Sequence, residues 1–351
     1  MSSTPPPPPP SASICADLTL IITTSPTPSA PSTELLDTVF QSVRQHCEDL
    51  LSCRIIVVFD TYDRIGPVSR LKKGVVTEEG AQQYDAYKEN VKTLVLGAYG
   101  HSSDEELAQE QGEAEYGFDG RAALNLTPFT VNRTKDDKVA FVEPAERLGF
   151  GLAVRTALRI TTTPYVWVHQ HDWTLVADIP VAPMLDVMKA TDEDEEAPVK
   201  YICLASVRML EYANSAHAHD YPALRALTKK LKRNFTHPSH QNCTVPLTPM
   251  FFWHDKPHIA STEHYLFRVF PTRLAIPKGA FIEDVIGQRA RTQMKEQSMW
   301  VKWACWLYYP DEGKQLCLKH LDGRRWRGVE AEKVQGARWR EIRGVKEEKQ
   351  E

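Results

Sequence analysis

The stretch that most constrains this chain is Tyr165-Val166-Trp167-Val168 followed at once by His169-Gln170-His171-Asp172-Trp173. A run of β-branched and aromatic residues with no polar alternation predicts a strand buried on both faces, as in the centre of a parallel sheet. Open α/β sheets bind ligands at the carboxyl ends of their strands. Four polar side chains, three of them able to ligate a metal, therefore fall where such a sheet does its chemistry.

Two other segments supply the rest of such a sheet. Leu18–Thr24 is a predicted strand, closed by a Pro/Ser-rich turn from Ser25 to Ser32. Ser32 or Thr33 then caps a helix carrying Leu35, Leu36, Val39, Phe40, Val43, Cys47 and Leu50 at helical spacing. Arg54–Asp60 is the next strand and ends on an acid. Strand, helix, strand in this compass is a βαβ unit with a right-handed crossover. Thr61 to Asn90 reads as a polar excursion carrying a helix, Val91–Ala98 as a third strand, and His101–Asp137 as an acidic loop or insertion. Gly149–Ile160 reads as a helix leading into Tyr165, Tyr201–Val207 as a further strand, and Met299–Tyr309 as a Trp-rich core helix.

Composition narrows the class. With 42% hydrophobic and 25% charged residues, 351 residues make an ordinary globular chain. A net charge of −4 and a pI near 6.3 give no bulk attraction for nucleic acid. No apolar run reaches the roughly 18–20 residues of a membrane span. Met1–Ser13 is a proline tract without basic or apolar signal regions, so residues 1–16 are expected to be an extended tail. The seven scattered cysteines include no CxxC pair, which fits a reduced, cytoplasmic protein.

The order of strand, helix, strand-Asp, glycine-containing helix start, strand and acidic cluster resembles family 2-like glycosyltransferases of the GT-A fold, over roughly Asp17 to Asp322. The resemblance implies an α/β, Rossmann-type three-layer sandwich with a mostly parallel central sheet. It implies a nucleotide-sugar half at about 17–180, an acceptor half at about 181–322, and a charged tail at 323–351. The implied activity is transfer of a sugar from a nucleotide-sugar donor to a glycan, protein or small-molecule hydroxyl, of hexosyltransferase type. Asp60 matches the acid that contacts uracil or ribose, with Asp63 as a neighbouring substitute and Thr23 on the same donor side. Arg147-Leu148-Gly149-Phe150-Gly151 looks like the family's glycine loop, in which bare backbone and a helix N-terminus approach the diphosphate.

Gln170-His171-Asp172 stands where the family carries D-x-D, the motif that holds a divalent ion (Mn or Mg) against the diphosphate. Gln170 departs from that pattern. Asp172 remains as the metal or sugar contact, with His171 as a further ligand and His320 matching a C-terminal histidine of the metal site. Phe281-Ile282-Glu283-Asp284 resembles the x-E-D motif, which implies Asp284 as general base and Glu283 as its orienting neighbour. Between them, Trp253, His254 and Asp255 offer an acceptor wall of aromatic and hydroxyl-binding groups.

Two other readings stay open on the residues alone. His169-x-His171, His217-x-His219-Asp220 and His254 to His258 are the material of a histidine-rich metal-dependent hydrolase. Gln170 in place of an acid also suits a non-catalytic nucleotide- or glycan-binding protein. Arg324, Arg325 and Arg327 form a small basic group read as a solvated face.

Overall fold

The computed structural model describes residues 14–117, 125–236, 243–295 and 297–335. Its centre is a parallel block. β1 (Leu18–Thr24) and β2 (Arg54–Phe59) pair in register from Thr19 with Arg54 to Thr24 with Phe59. Every residue of both strands is buried, so the block is covered on both faces, as its unbroken apolar sequence requires. The helix α1 (Glu34–His46) forms the expected crossover between them.

A polar excursion follows β2, in which β3 (Arg64–Ile65) and β4 (Val75–Val76) form a two-stranded ladder. Then come α2 (Glu78–Ala98), β5 (Ala108–Glu115), β6 (Leu126–Arg133) and β7 (Val139–Pro144). The helix α3 (Phe150–Arg159) leads into β8 (Tyr165–Gln170), which pairs parallel to β1 with Leu18 opposite Tyr165 and Thr23 opposite Gln170. β9 (Trp173–Leu175), α4 (Val181–Ala190), β10 (Tyr201–Cys203), β11 (Arg233–Thr236), β12 (Thr244–Pro249), β13 (His258–Ser261), β14 (Cys305–Tyr308) and β15 (Leu318–His320) complete the strands used below.

The large sheet runs β11-β12-β14-β10-β13-β8-β1-β2-β7-β6-β5. Its centre, β8-β1-β2-β7, is parallel throughout. The expected buried central strand at Tyr165–Val168 is therefore observed, and the architecture is a layered α/β fold around a parallel-centred sheet. One hydrophobic cluster extends from Ile14 to Leu318 and includes strands from both halves of the chain.

Three sequence expectations are corrected. Val91–Ala98 is not a strand but the second half of α2. Ala81, Tyr84, Tyr87, Val91 and Val95 are buried at spacings of three and four, with Leu96 beside them, and Thr77 caps the helix by accepting the Gly80 N–H at 3.1 Å. A short apolar run fits either period, and here the helical one continues upstream. The insertion at 101–137 contains a hairpin, β5 against β6, from Ala108 opposite Arg133 to Glu115 opposite Leu126. β5 reads as loop because it is a largely exposed edge strand of Glu, Gln, Ala and Gly. Finally, the helix expected at Met299–Tyr309 ends at Trp303; the backbone turns left-handed at Ala304 and continues as buried β14.

Candidate active site

The parallel strands β1, β2 and β8 end at one edge of the sheet, and a cleft of about 690 Å³ lies there. Thr23, Asp60, Gly149, Gln170, His171, Asp172, Asp255, Glu283, Asp284 and His320 all line it. Asp60 and Asp172 thus open onto one cavity although 112 residues separate them in sequence.

Asp60 closes β2, and both its oxygens are already used. Oδ1 accepts the Leu148 N–H at 2.7 Å, and both oxygens receive the Gly149 N–H at 3.1 Å. Burial pushes its carboxyl up to about 6, opposed by those two N–H donors and by Arg147. Asp63, the substitute acid, is half taken by Arg147, whose Nη1 lies 2.9 Å from Asp63 Oδ2. The end of β2 therefore ties down the glycine loop.

That loop explains its glycines by packing. Gly149 has φ +80°, and a Cβ on it would lie 2.4 Å from the Gly279 Cα. Gly279, also at φ +80°, donates its N–H to the Leu148 carbonyl at 2.7 Å. Gly151 faces Ile276 and gives its N–H to the Ala280 carbonyl at 3.1 Å. Gly151 is accordingly absent from the cleft wall; the Leu148 and Gly149 amides ahead of α3 are taken by Asp60, and the Gly151 amide by Ala280. The loop's close approach is to another loop, while Gly149 itself stays in the cleft wall.

Asp172 stands in the opposite condition. Its Oδ2 accepts from His320 Nε2 and from the Gly323 N–H, both at 3.1 Å. Its Oδ1 is buried with no hydrogen-bond partner among the described residues. Burial by itself would raise this carboxyl, but the His320 hydrogen bond, the charges of His171 and His320 and the Gly323 amide outweigh it and hold it at about 2. His320 is brought there by the pairing of β15 with β9, which sets it opposite Trp173. Its ring lies against the Trp173 indole at 4.6 Å between centroids. Burial would lower the His320 pKa, yet the hydrogen bond to Asp172 raises it overall.

Of the other histidines of this segment, His169 is committed at both ring nitrogens and His171 at Nδ1. His169 receives the Trp167 indole N–H on Nδ1 at 3.0 Å, so its Nε2 carries the proton donated to the Trp173 carbonyl at 2.7 Å. His171 Nδ1 lies 2.7 Å from Thr24 Oγ1, which in turn lies 2.8 Å from the Tyr87 hydroxyl. Among the described residues no three His, Cys, Asp or Glu side chains are arranged to hold a metal ion. His217 and His219 lie outside the cleft wall, so the pairs behind the hydrolase reading do not gather there.

Gln170 has a structural partner: its Nε2 donates to the Asp255 carbonyl at 2.9 Å. Asp255 reaches this edge because β13 runs antiparallel to β8, with His258 opposite Val168, so the loop ahead of it meets the end of β8. Asp255 Oδ1 accepts the Glu283 N–H at 3.0 Å, while the buried Oδ2 has no partner among the described residues. Burial, then the neighbouring Glu283, push the Asp255 carboxyl well above the usual range.

Glu283 is pinned. His254 Nδ1 lies 3.3 Å and Lys256 Nζ 3.7 Å from its Oε2. The His254 hydrogen bond, against burial, and the Lys256 charge bring its carboxyl to about 2. Asp284 is exposed, lines the cleft, and makes no hydrogen bond or ion pair among the described residues.

Two members of the expected acceptor wall are elsewhere. Trp253 is fully buried, packed on Tyr201 at 4.2 Å and Tyr265 at 4.9 Å between ring centroids. His254 stands behind Glu283 and is not part of the cleft wall. An aromatic at a strand's end does not reveal from sequence which side of the loop it takes. Sequence reading also passed over Lys72, Lys256 and Lys319, which line the cleft. Arg324, read as part of a solvated face, is in the wall as well, its guanidinium 5.3 Å from the Phe281 ring centre. Its place six residues after Leu318 in the β15 turn was the available signal.

No family model and no curated protein matches the chain. Among solved structures, it is similar to a mannosyltransferase from Pyrobaculum calidifontis in complex with GDP-Man and Mn2+, at 13% identity and a TM-score of 0.38, covering 85% of this chain and 58% of that one. It is similar to S. aureus TarS at 10% identity and a TM-score of 0.36, covering 86% and 36%. It is also similar to glucosyl-3-phosphoglycerate synthase from Mycobacterium tuberculosis in complex with Mn2+, UDP and phosphoglyceric acid, at 12% identity and a TM-score of 0.27, covering 72% and 59%. The chain spans less than two thirds of each of these proteins. At these scores the overlap is loose, and the functional reading rests on the cleft.

Proposed function

We propose that the chain is a GT-A-type glycosyltransferase of hexosyltransferase kind, using a nucleotide-sugar donor and a hydroxyl acceptor. The observation that carries the reading is the unpaired, buried Oδ1 of Asp172, a residue of the wall of a cleft that also holds a bare Asp284. A buried carboxylate oxygen without a partner costs about 1–3 kcal/mol or more, which a ligand at that point recovers.

Asp172, with His171 or His320 beside it, would hold a divalent ion together with the donor's own phosphate oxygens, as Mg or Mn commonly binds. When bound, it would neutralise charge on the leaving diphosphate. The cations Lys72, Lys256, Lys319 and Arg324 surround the same cavity and suit a polyanionic donor. Asp60 and Gly149 form the floor on the nucleotide side, and Thr23 and Gln170 frame the strand ends.

Glycosyl transfer needs a base for the acceptor hydroxyl as the bond to the diphosphate breaks. Glu283 suits this poorly, because a carboxylate held near 2 and committed to His254 and Lys256 is a weak base. Asp284 is unencumbered and takes the role. Glu283 orients it, and Asp255 Oδ2 is left to receive a sugar or acceptor hydroxyl.

The test is a thermal-shift panel of nucleoside diphosphates and nucleotide sugars with and without manganese, followed by transfer assays on Asp284→Asn. The variant should retain donor affinity and lose about 10²–10⁴ in rate. More than a tenth of the original rate in Asp284→Asn would remove Asp284 as base. Nucleotide binding without transfer by the unmodified protein would favour the non-catalytic reading, for which the committed Gln170 amide speaks. No nucleotide binding at all would overturn both.

A further inference from the structure

The excursion between β2 and α2 is a built platform that carries charge and apolar surface outward. Asp63 to Lys73 contains four cations, Arg64, Arg70, Lys72 and Lys73, and one acid, Asp63, which Arg147 engages. All four cations are exposed, and none has an ion-pair partner among the described residues. This local excess of positive charge stands on a chain whose net charge is −4.

Between the cations two aliphatic side chains face water, Ile65 at 47% and Val68 at 64% exposure. Their exposure is not that of a loose loop. Asp63 N–H donates to the Gly74 carbonyl at 2.7 Å, Gly66 N–H to Val76 and Arg70 N–H to Val75, each at 2.8 Å. Leu71 and Lys72 at its inner end line the cleft, so the platform is continuous with the cleft mouth.

We propose that this platform, Arg64 to Lys73, docks the protein on an anionic membrane surface. Cations that find no carboxylate in the protein match a layer of lipid phosphates and carboxylates, and each Lys or Arg near such a surface adds about 1 kcal/mol. Ile65 and Val68 supply shallow apolar anchors between them. Nucleic acid is a poorer match, since no aromatic side chain interleaves the cations from Asp63 to Lys73. Of the four cations only Lys72 is in the cleft wall, so a test that spares Lys72 reads docking separately from donor binding.

The full chain is sedimented with phosphatidylcholine vesicles and with vesicles containing phosphatidylserine, at low and at physiological salt. Binding is expected to the anionic vesicles alone. Arg64→Ser/Arg70→Ser/Lys73→Ser, which spares the cleft residue Lys72, should weaken it by about tenfold or more. Val68→Ser should weaken it severalfold, most visibly at physiological salt, where screening leaves apolar contacts to hold. Arg225→Ser/Lys229→Ser, on the helix Pro222–Leu231 packed against β12, should leave it unchanged. Melting curves check that each variant folds, and an unaltered nucleotide shift in the triple variant separates docking from donor binding.

No binding to anionic vesicles overturns the proposal. So does equal loss in the Arg225/Lys229 control, which would make the attraction diffuse. Retention by heparin without vesicle binding would also overturn it and assign the platform to a soluble polyanion.

Discussion

Asp60 and Asp172 are both buried acids just beyond the ends of strands in one parallel block, yet they are in opposite states. At the end of β2, both oxygens are consumed by the Leu148 and Gly149 amides, and burial lifts the carboxyl to about 6. At the end of β8, one oxygen is paired, the other is bare, and the carboxyl sits at about 2. Two acids at the carboxyl ends of neighbouring strands can therefore differ in what they still offer. The difference is the lone pair the protein leaves unused.

The largest expected effect is on chemistry. Asp172→Asn keeps the shape but removes the charge offered to an ion or donor. It should abolish any manganese-dependent nucleotide shift and lower transfer by about 100-fold or more. Asp60→Asn should cost far less activity, because its first duty is to the loop. Equal losses from the two would break the contrast.

Next in size is a pair of opposite pH slopes. The Asp60 carboxyl is raised from 3.8, so its contribution to stability is full below about 3.8 and is lost as pH climbs through about 6. The Asp172 carboxyl is lowered, so its contribution is full above about 3.8 and is lost as pH falls through about 2. Each amounts to about 2–3 kcal/mol at 1.36 kcal/mol per pH unit. Denaturant titrations across pH 2–7 should show Asp60→Asn flattening the upper slope and Asp172→Asn the lower one. A single slope removed by both substitutions would mean that the two sites titrate as one.

The smallest effect concerns the partner rather than the acid. His320→Ala takes away the side-chain donor to Asp172 Oδ2 but leaves the Gly323 amide. The acid-side transition of Asp172 should move upward, and transfer should fall about three- to tenfold, read as a shifted lower limb of the pH–rate profile.

Much of this was legible from residue order. Unbroken apolar runs at 18–24, 54–59 and 165–168 could only be strands covered on both faces, and the polar residues after them had to share an edge. The hairpin of β5 and β6 was not legible, because an edge strand facing water carries no apolar signal. Nor was the side of the loop taken by Trp253, which only its packing on Tyr201 and Tyr265 decides. Least legible was the state of each carboxylate. Nothing in the sequence around Asp60 reveals that the amides of residues 148 and 149, nearly ninety positions away, bond its oxygens.

The crossing of Gly149 and Gly279 has a further consequence. Two main chains meet there with only hydrogen atoms between their α-carbons, so nothing at the junction can change rotamer. Phe150 and Phe281 stack just beyond it, 5.8 Å between ring centres, and Glu283 and Asp284 follow within two turns of backbone. The gap between the floor tied to Asp60 and the acidic pair opposite is thus gauged by the thickness of bare polypeptide. One added methyl at Gly149 would act as a shim between the two main chains, whereas one at Gly279 would meet only Arg147 Nη1, at 3.7 Å.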